Sequence, residues 1–169
     1  MKKIFLPFLA VLIFTGSVNA QLKIGYVDSE AIMKQLPDAQ DAQKKIDAFI
    51  QEWQEEISKM EADWKKRYKD YENRKLIMSN QKRDEVEKEL VALEDKIREF
   101  KQKKFGVNGE LFQKQEELMK PIQNKIFNAI KEVAEENDLD FVFDRSGDLI
   151  FLYAKEKYDI TPLVMEKLQ

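Results

Sequence analysis

The side chains that could do chemistry in this chain are almost all carboxylates, ammonium groups and guanidinium groups. The chain has 169 residues, of which 32 are acidic and 29 are basic, and it contains neither histidine nor cysteine. The commonest general base, the thiol nucleophile and the usual zinc ligands are therefore absent. Closely spaced carboxylates are expected on any solvated helix. The sequence predicts no catalytic residue, no bound metal and no cofactor.

One short segment has the outline of an ion-binding loop. Asp144-Arg-Ser-Gly-Asp148 resembles part of a calcium loop, but it lacks the length and the closing glutamate of such loops. A hairpin turn at Ser146 and Gly147 is the simpler interpretation. The sequence also contains no glycine-rich loop of the kind that cradles phosphate.

Positive charge is concentrated in the segment 65–83, which has eight basic residues against two acidic ones. Basic residues with apolar residues between them suit an anionic lipid headgroup surface, so weak contact with such a membrane surface is one hypothesis. The alternative is a solvated helix end whose charges pair with acids one turn away. The eight residues are Lys65, Lys66, Arg67, Lys69, Arg74, Lys75, Lys82 and Arg83.

The elements that carry these charges are predicted to be long helices. From Asp38 to Phe105, 68 residues contain no glycine or proline and half of them are charged, which favours solvated helix over a compact core. Apolar residues recur with an eleven-residue repeat in the first half and a heptad repeat in the second. The predicted seam contains Ile46, Phe49, Trp53, Ile57, Met60, Trp64, Tyr68, Tyr71, Val86, Leu90, Leu93, Ile97 and Phe100, and the same period continues with Lys104, Val107 and Leu111.

A reversal of the chain near residue 79 would pair the two halves as an antiparallel hairpin. Ser79 or Asn80 can cap the second helix, and positions whose numbers sum to about 158 would then face each other at the helical rise. This arm is predicted to span residues 38–120 with its tip near residues 76–81. Pro37 marks the start of the first helix, and Pro121 marks a kink where the second helix leaves the arm.

Some large side chains of the arm are expected to remain exposed, because a two-helix arm leaves half of each helix facing water. Exposed apolar groups on a long arm can bind many sequences without specificity. Gly106 and Gly109 predict a bending point, or hinge, because glycine costs about 1 kcal/mol relative to alanine inside a helix. The predicted apolar binding residues are Leu76, Ile77, Phe105, Phe112 and Met119.

The two ends of the chain, residues 21–37 and 121–169, are predicted to form a β-containing body. Lys23–Asp28 indicates a strand, Phe141–Tyr153 a hairpin, and Thr161 with Pro162 the start of a last helix. The strands are apolar on both faces, so homo-oligomerisation is expected to cover them. The predicted oligomerisation residues are Ile24, Tyr26, Val27, Phe141, Val142, Phe143, Ile150, Phe151 and Leu152.

The first twenty residues have the pattern of a signal peptide. Lys2 and Lys3 precede the apolar run Ile4–Thr15, and a small-residue site predicts cleavage after Ala20. The run of 12 apolar residues is shorter than the roughly 20 that span a bilayer. Without Lys2 and Lys3 the mature chain has 29 − 2 = 27 basic and 32 acidic residues. This net charge of −5 argues against nucleic acid as a partner.

Three segments make the whole chain similar to a known family. They are Lys23-Ile-Gly-Tyr-Val-Asp-Ser-Glu-Ala-Ile-Met-Lys-Gln-Leu-Pro37, Leu139-Asp-Phe-Val-Phe-Asp144 and Tyr158-Asp-Ile-Thr-Pro162. With the charged helical hairpin between them, they resemble the Skp/OmpH family of periplasmic chaperones. The resemblance implies an α+β fold in which a homotrimeric β body carries three helical arms around a cavity. It also implies a holdase, without enzymatic activity, that keeps unfolded outer-membrane proteins soluble in the periplasm without ATP. The alternative function is a structural coiled-coil spacer or adaptor of the cell envelope.

Overall fold

The computed structural model describes residues 22–147 and 151–169, which form a mostly helical α+β fold. The predicted signal peptide and its cleavage site therefore lie outside the described residues. The elements in chain order are β1 (Ile24–Val27), α1 (Ser29–Gln35), α2 (Pro37–Arg74), α3 (Asn80–Phe105), α4 (Glu110–Glu136), β2 (Phe141–Asp144), a short 3₁₀ helix (Glu156–Tyr158) and α5 (Thr161–Leu168).

The starts of the helices follow from local chemistry. As predicted, α2 begins at Pro37, whose missing N–H costs nothing in the first turn. The Ser79 side chain accepts a hydrogen bond from the Lys82 backbone N–H at 3.2 Å and caps α3. The Asp28 side chain caps α1 in the same way, with the Ala31 N–H 2.8 Å away. The sequence analysis did not predict α1.

Helix α3 runs back along α2, because later residues of α3 contact earlier residues of α2. Near the start of α3, the Tyr71 hydroxyl donates to the Glu87 carboxylate. At the end of α3, the rings of Trp53 and Phe105 meet edge to face with centroids 5.8 Å apart. Both pairs match the expected sum of about 158. The side chains buried along this seam are Ile46, Trp53, Tyr71, Leu90 and Ile97.

The second helical segment is interrupted between Phe105 and Glu110, where α3 ends and α4 begins. The expectation that Val107 continues the apolar seam was wrong, because Val107 lies in this interruption and is 91% exposed. The helical period that would have turned Val107 toward α2 stops at Phe105. Beyond the interruption, α4 runs from Glu110 to Glu136 and contains Pro121 in its interior.

A single apolar core joins α1, the start of α2, the second half of α4, α5 and one face of the sheet. Ile32 and Val164 at its centre have no exposed surface. Their complete burial indicates that this region folds around tertiary contacts rather than around helix propensity. The core residues are Val27, Ile32, Leu36, Ala39, Ala42, Ile122, Ile126, Ala129, Val133, Ile160, Val164 and Leu168.

The sheet has two parallel strands, in which Ile24 of β1 pairs with Phe141 of β2 and Val27 pairs with Asp144. The other edge of β1 is covered where the Ile160 N–H donates to the Tyr26 carbonyl oxygen at 2.9 Å. Strand β1 is therefore flanked on both sides, by β2 on one edge and by the segment around Ile160 on the other.

The predicted hairpin between Phe141 and Tyr153 was wrong for the described residues. Strand β2 pairs with β1, and residues 151–153 are not in a strand. At the turn after β2, the Asp144 side chain accepts the Ser146 N–H at 3.0 Å. Ile150, predicted to lie in the second strand, falls outside the described residues.

Candidate interaction surfaces

The outer face of the sheet carries a patch of aromatic and aliphatic side chains. Alternation along the parallel strands places Ile24 and Tyr26 on the same face as Phe141 and Phe143. The rings of Phe141 and Phe143 stack with centroids 6.4 Å apart. Phe151 contacts both Tyr26, at 5.9 Å, and Phe143, at 6.3 Å. We call Ile24, Tyr26, Phe141, Phe143 and Phe151 the sheet patch.

Most of the sheet patch faces solvent in the single chain. Phe141 is 54% exposed, and Ile24, Phe143 and Phe151 are also exposed. Leu152, one residue beyond the patch, is 96% exposed. Contiguous exposed apolar surfaces are typical of interaction sites, which makes the sheet patch a candidate for one. The other apolar face of the sheet is covered by the helices of the core.

Four of the nine predicted oligomerisation residues are not part of the sheet patch: Leu152 lies one residue beyond it, Ile150 falls outside the described residues, and Val27 and Val142 lie on the other face of the sheet. Val27 belongs to the buried core, and Val142 packs against that core as a partly buried neighbour. Their side chains alternate with those of the sheet patch and point to the opposite face of the sheet. Within the single chain, both side chains pack against the core instead of adding to the sheet patch.

A hydrogen-bonded cluster around Asp144 holds the end of β2 against the start of α1. The Asp144 carboxylate accepts the Ser29 N–H at 3.2 Å and the hydroxyls of Ser29 and Ser146, the latter at 2.7 Å. Burial acts to raise the pKa of the Asp144 carboxyl, but these hydrogen bonds outweigh burial and lower that pKa. The cluster therefore stabilises the sheet edge in the form with an ionised Asp144.

The five predicted binding residues of the arm divide into two groups. Leu76 and Ile77, in the turn between α2 and α3, are 91% and 85% exposed, and Phe112 on α4 is about half exposed. Phe105 and Met119 were wrongly expected to remain exposed, because both are half-buried. Phe105 packs against the Trp53 ring, and Met119 packs against the apolar core.

Several exposed apolar residues were not selected from the sequence. Phe127 on α4 is 67% exposed, and Val91 on α3 is 57% exposed. The exposure of Val91 could have been predicted from the sequence, because Val91 follows the seam residue Leu90 and adjacent helix positions face different directions. Phe127 could not be distinguished from its neighbour Ile126, which is buried in the core.

The basic segment at the end of the arm is partly paired. Within the described residues, four of its eight cations form ion pairs with acids three or four positions away: Arg67 with Asp63, Arg74 with Asp70, Lys75 with Glu72 and Lys82 with Glu85. Exposed pairs of this kind contribute little to stability. Lys65, Lys66 and Lys69 are exposed and have no ion-pair partner among the described residues.

Open grooves run along the arm. An open groove of about 690 Å³ lies between α2 and α3 near the tip, with Tyr71, Val86 and Leu90 among its lining residues. Over residues 22–147 and 151–169, no three acidic side chains are grouped closely enough to hold a metal ion. None of the described helices has both the length and the apolar character needed to cross a membrane.

The sequence identifies the family of this chain. The model of the OmpH-like outer membrane protein family matches residues 23–168, so the chain belongs to the OmpH-like family. Among solved structures, the fold matches a proposed outer membrane chaperone (OmpH-like) from Caulobacter crescentus CB15 with a TM-score of 0.72 and 15% identity. That match covers 93% of this chain and 90% of the other. No curated protein matches the sequence at a significant level.

Proposed function

We propose that this protein is an ATP-independent holdase of the periplasm that binds unfolded outer-membrane proteins and prevents their aggregation in transit. The observation that carries the proposal is the coexistence of two apolar surfaces. One is the contiguous sheet patch, and the other is a set of scattered exposed side chains on long helices. Membership of the OmpH-like family supports a chaperone role. The signal peptide pattern, with cleavage after Ala20, supports export.

The sheet patch is proposed as the assembly surface of a homotrimer. Its aromatic side chains are stacked and exposed in the single chain, so a second copy could cover the rings. The order of three comes from the family resemblance. Mass measurement on the mature protein by sedimentation tests this step, and a folded monomer whose mass is independent of concentration would contradict it.

The helices from residue 38 to residue 120 are proposed as an arm that holds the client. With 38 residues in α2, such an arm extends about 57 Å at 1.5 Å per residue. Exposed Leu76, Ile77 and Phe112 would each bind a client weakly. Several arms acting on one client then hold it by multivalency, while each contact is released easily.

The decisive experiment measures aggregation of an unfolded outer-membrane β-barrel protein after dilution from denaturant. The mature protein, without nucleotide, is expected to suppress light scattering when one trimer is present per client, and a complex of that ratio should appear by native mass measurement. A coiled-coil spacer of the same fold would leave the aggregation unchanged. A folded soluble protein in place of the client is the control for specificity toward unfolded chains.

The interruption between α3 and α4 is proposed as the hinge of the arm. A Cβ atom at position 106 would lie 2.3 Å from the Gln102 carbonyl oxygen, and one at position 109 would lie 2.9 Å from the Gly106 carbonyl oxygen. Only glycine fits either position in this conformation. Gly106→Ala with Gly109→Ala should therefore raise helicity, stiffen the arm and narrow the range of client sizes held.

A further inference from the structure

The break between α3 and α4, residues 106–109, has a defined conformation. The Gly106 N–H still donates to the Gln102 carbonyl oxygen at 2.9 Å, and the Gly109 N–H donates to the Gly106 carbonyl oxygen at 2.8 Å. Asn108 has a positive φ of 59°, in the left-handed region that asparagine tolerates better than most residues. The break is thus a hydrogen-bonded turn, and its geometry depends on what holds the two helix ends together.

Lys104 contacts all three helices that meet at the break. It lies in the last turn of α3, and its side chain is only 16% exposed. Its ammonium group sits 4.6 Å from the centre of the Trp53 ring on α2 and 5.6 Å from that of Phe100. The same ammonium donates to the carboxylate of Glu110, the first residue of α4. Trp53 itself is buried and stacks on Phe49.

The ion pair between Lys104 and Glu110 can exist only when the helix is broken. In a continuous helix, residues six apart are separated by about 9 Å along the axis and about 120° around it, whereas side-chain pairs form at separations of three or four. Each partner also suits its own helix end, since a cation is favoured at the C-terminus of α3 and an anion at the N-terminus of α4. The contact therefore selects the broken conformation over a straight helix.

We propose that Lys104, held between the Trp53 ring and the Glu110 carboxylate, is a latch that fixes the angle of the arm at the break. The glycines permit the bend, and Lys104 selects one bent state. This inference rests on the proposed function, in which the break is the hinge of a client-binding arm. It adds a specific device that resists movement of that hinge, so the stiffness of the arm is set by one side chain.

Hydrogen–deuterium exchange of the mature protein, followed in peptides that cover residues 103–113, tests the latch. Lys104→Met keeps the aliphatic stem and removes the cation, and it should accelerate exchange in these peptides about tenfold, since a partly buried cation–π contact and an ion pair are lost together. Lys103→Met is the matched control. This substitution removes the same charge at the neighbouring position. The Lys103 side chain is 72% exposed and its ammonium lies 3.5 Å from the Glu110 carboxylate, so its loss should change the exchange rate less than about twofold.

A double-mutant cycle separates coupling from simple loss of charge. Glu110→Gln should accelerate exchange as Lys104→Met does, and the double variant should exchange no faster than the Lys104→Met variant. In a Trp64→Phe background Trp53 is the only tryptophan, and quenching of its fluorescence by acrylamide should increase in the same variants. Unchanged or slower exchange after Lys104→Met would overturn the latch, as would equal acceleration by Lys103→Met or additive effects in the cycle.

The experiment uses no client, so its outcome is independent of the holdase assay. If the exchange data contradict the latch while aggregation is still suppressed, the latch fails and the proposed function stands. If the latch is confirmed and aggregation is not suppressed, the break is a rigid joint of a structural protein, and the proposed function fails.

Discussion

The body and the arm of this protein are stabilised in different ways. In the body, a single cluster of buried side chains connects the sheet, α1, α4 and α5, and its central residues are completely buried. In the arm, α2 and α3 share one seam in which fully buried side chains alternate with half-buried ones. A core of the first kind unfolds cooperatively, whereas a single seam can open locally from its end. The closed core and the single seam therefore lie in different regions of the chain.

The largest difference between substitutions in the body and in the arm is expected in the mass of the assembly. Phe141→Ser with Phe143→Ser removes two rings of the sheet patch, each worth up to about 3 kcal/mol when buried, and every copy in an assembly loses both. The mature variant should sediment as a monomer. Leu76→Ser with Ile77→Ser removes two exposed apolar side chains from the tip of the arm, and it should leave the assembly mass unchanged. Equal masses for the two variants would show that the sheet patch is not the assembly surface.

The next difference concerns the free energy of unfolding. Ile32→Ala in the body should lower it by about 2–5 kcal/mol, the usual cost of a cavity in a closed core. Leu93→Ala on α3 should cost much less, because Leu93 is only half-buried and water can fill the space. Denaturant titration followed by circular dichroism, at one fixed protein concentration, measures both. Comparable losses for the two variants would remove the distinction between body and arm.

Client holding should depend on the exposed side chains of the arm more than on the half-buried ones. Replacing Leu76, Ile77 and Phe112 by serine should weaken protection against aggregation without lowering the unfolding free energy. Replacing Phe105 and Met119 should lower the unfolding free energy as well, because both pack against neighbours. Light scattering and denaturant titration on the same samples separate these effects. Full protection by the triple variant would contradict the arm as the client-binding surface.

A smaller effect is expected from acid on the sheet edge. The hydrogen bonds from Ser29 and Ser146 lower the pKa of Asp144 against the opposing effect of burial. A carboxyl whose folded pKa is depressed stabilises the fold above its unfolded pKa of about 3.9, and this stabilisation is lost as the pH falls through the folded pKa. The stability advantage of the natural protein over the Asp144→Asn variant should therefore be constant near neutral pH and shrink below about pH 4.

Asp41→Asn on the exposed surface of α2 provides the control for this pH dependence. Among the described residues its carboxylate pairs with Lys44 alone, one turn away at 3.0 Å on an exposed surface, so the substitution should change the free energy of unfolding little. An advantage over Asp144→Asn that persists unchanged at pH 2 would show that the charge of Asp144 does not hold the sheet edge.

The smallest effect is expected at the tip of the arm. Near an anionic membrane each basic residue contributes about 1 kcal/mol, so Lys65, Lys66, Lys69 and Lys75 on three arms together should give weak, reversible binding to anionic vesicles. Reversing these four residues to glutamate should abolish the binding, and so should 1 M salt, which shortens the Debye length to about 3 Å. Binding to neutral vesicles, or equal binding by the charge-reversed protein, would contradict membrane contact and would show that the basic segment is a solvated helix end.

Local patterns in the sequence were sufficient for the helices of the arm. The start of α2 at Pro37, the cap of α3 by Ser79 and the burial of Trp53 and Tyr71 all follow from residues within a few turns of one another. Helix starts and apolar periodicity are short-range properties, since the helix repeats every 3.6 residues. The end of the seam at Phe105 was not predicted, because a glycine lowers the stability of a helix but does not determine at which neighbouring residue the helix ends.

The strand partners were decided only by the tertiary structure. The segment after Asp144 has the composition of a hairpin, but β2 pairs in parallel with β1, which lies more than a hundred residues earlier in the chain. Strand pairing depends on how the intervening helices pack, and α4 brings Phe141 back beside Ile24. The same packing separates Val142 from Phe143, so that one side chain packs against the core and the other joins the sheet patch.

The sequence by itself determined the helix content, the charge of the arm, the two-faced apolar strands and the family. It did so because amino-acid composition and apolar periodicity reflect the local structural preference of each segment. The tertiary structure decided which apolar residues are satisfied within the chain and which are left exposed. That distinction depends on the positions of distant elements, as Phe105 against Trp53 and Lys104 against Glu110 show. Burial is a property of the packed molecule, and no single segment specifies it.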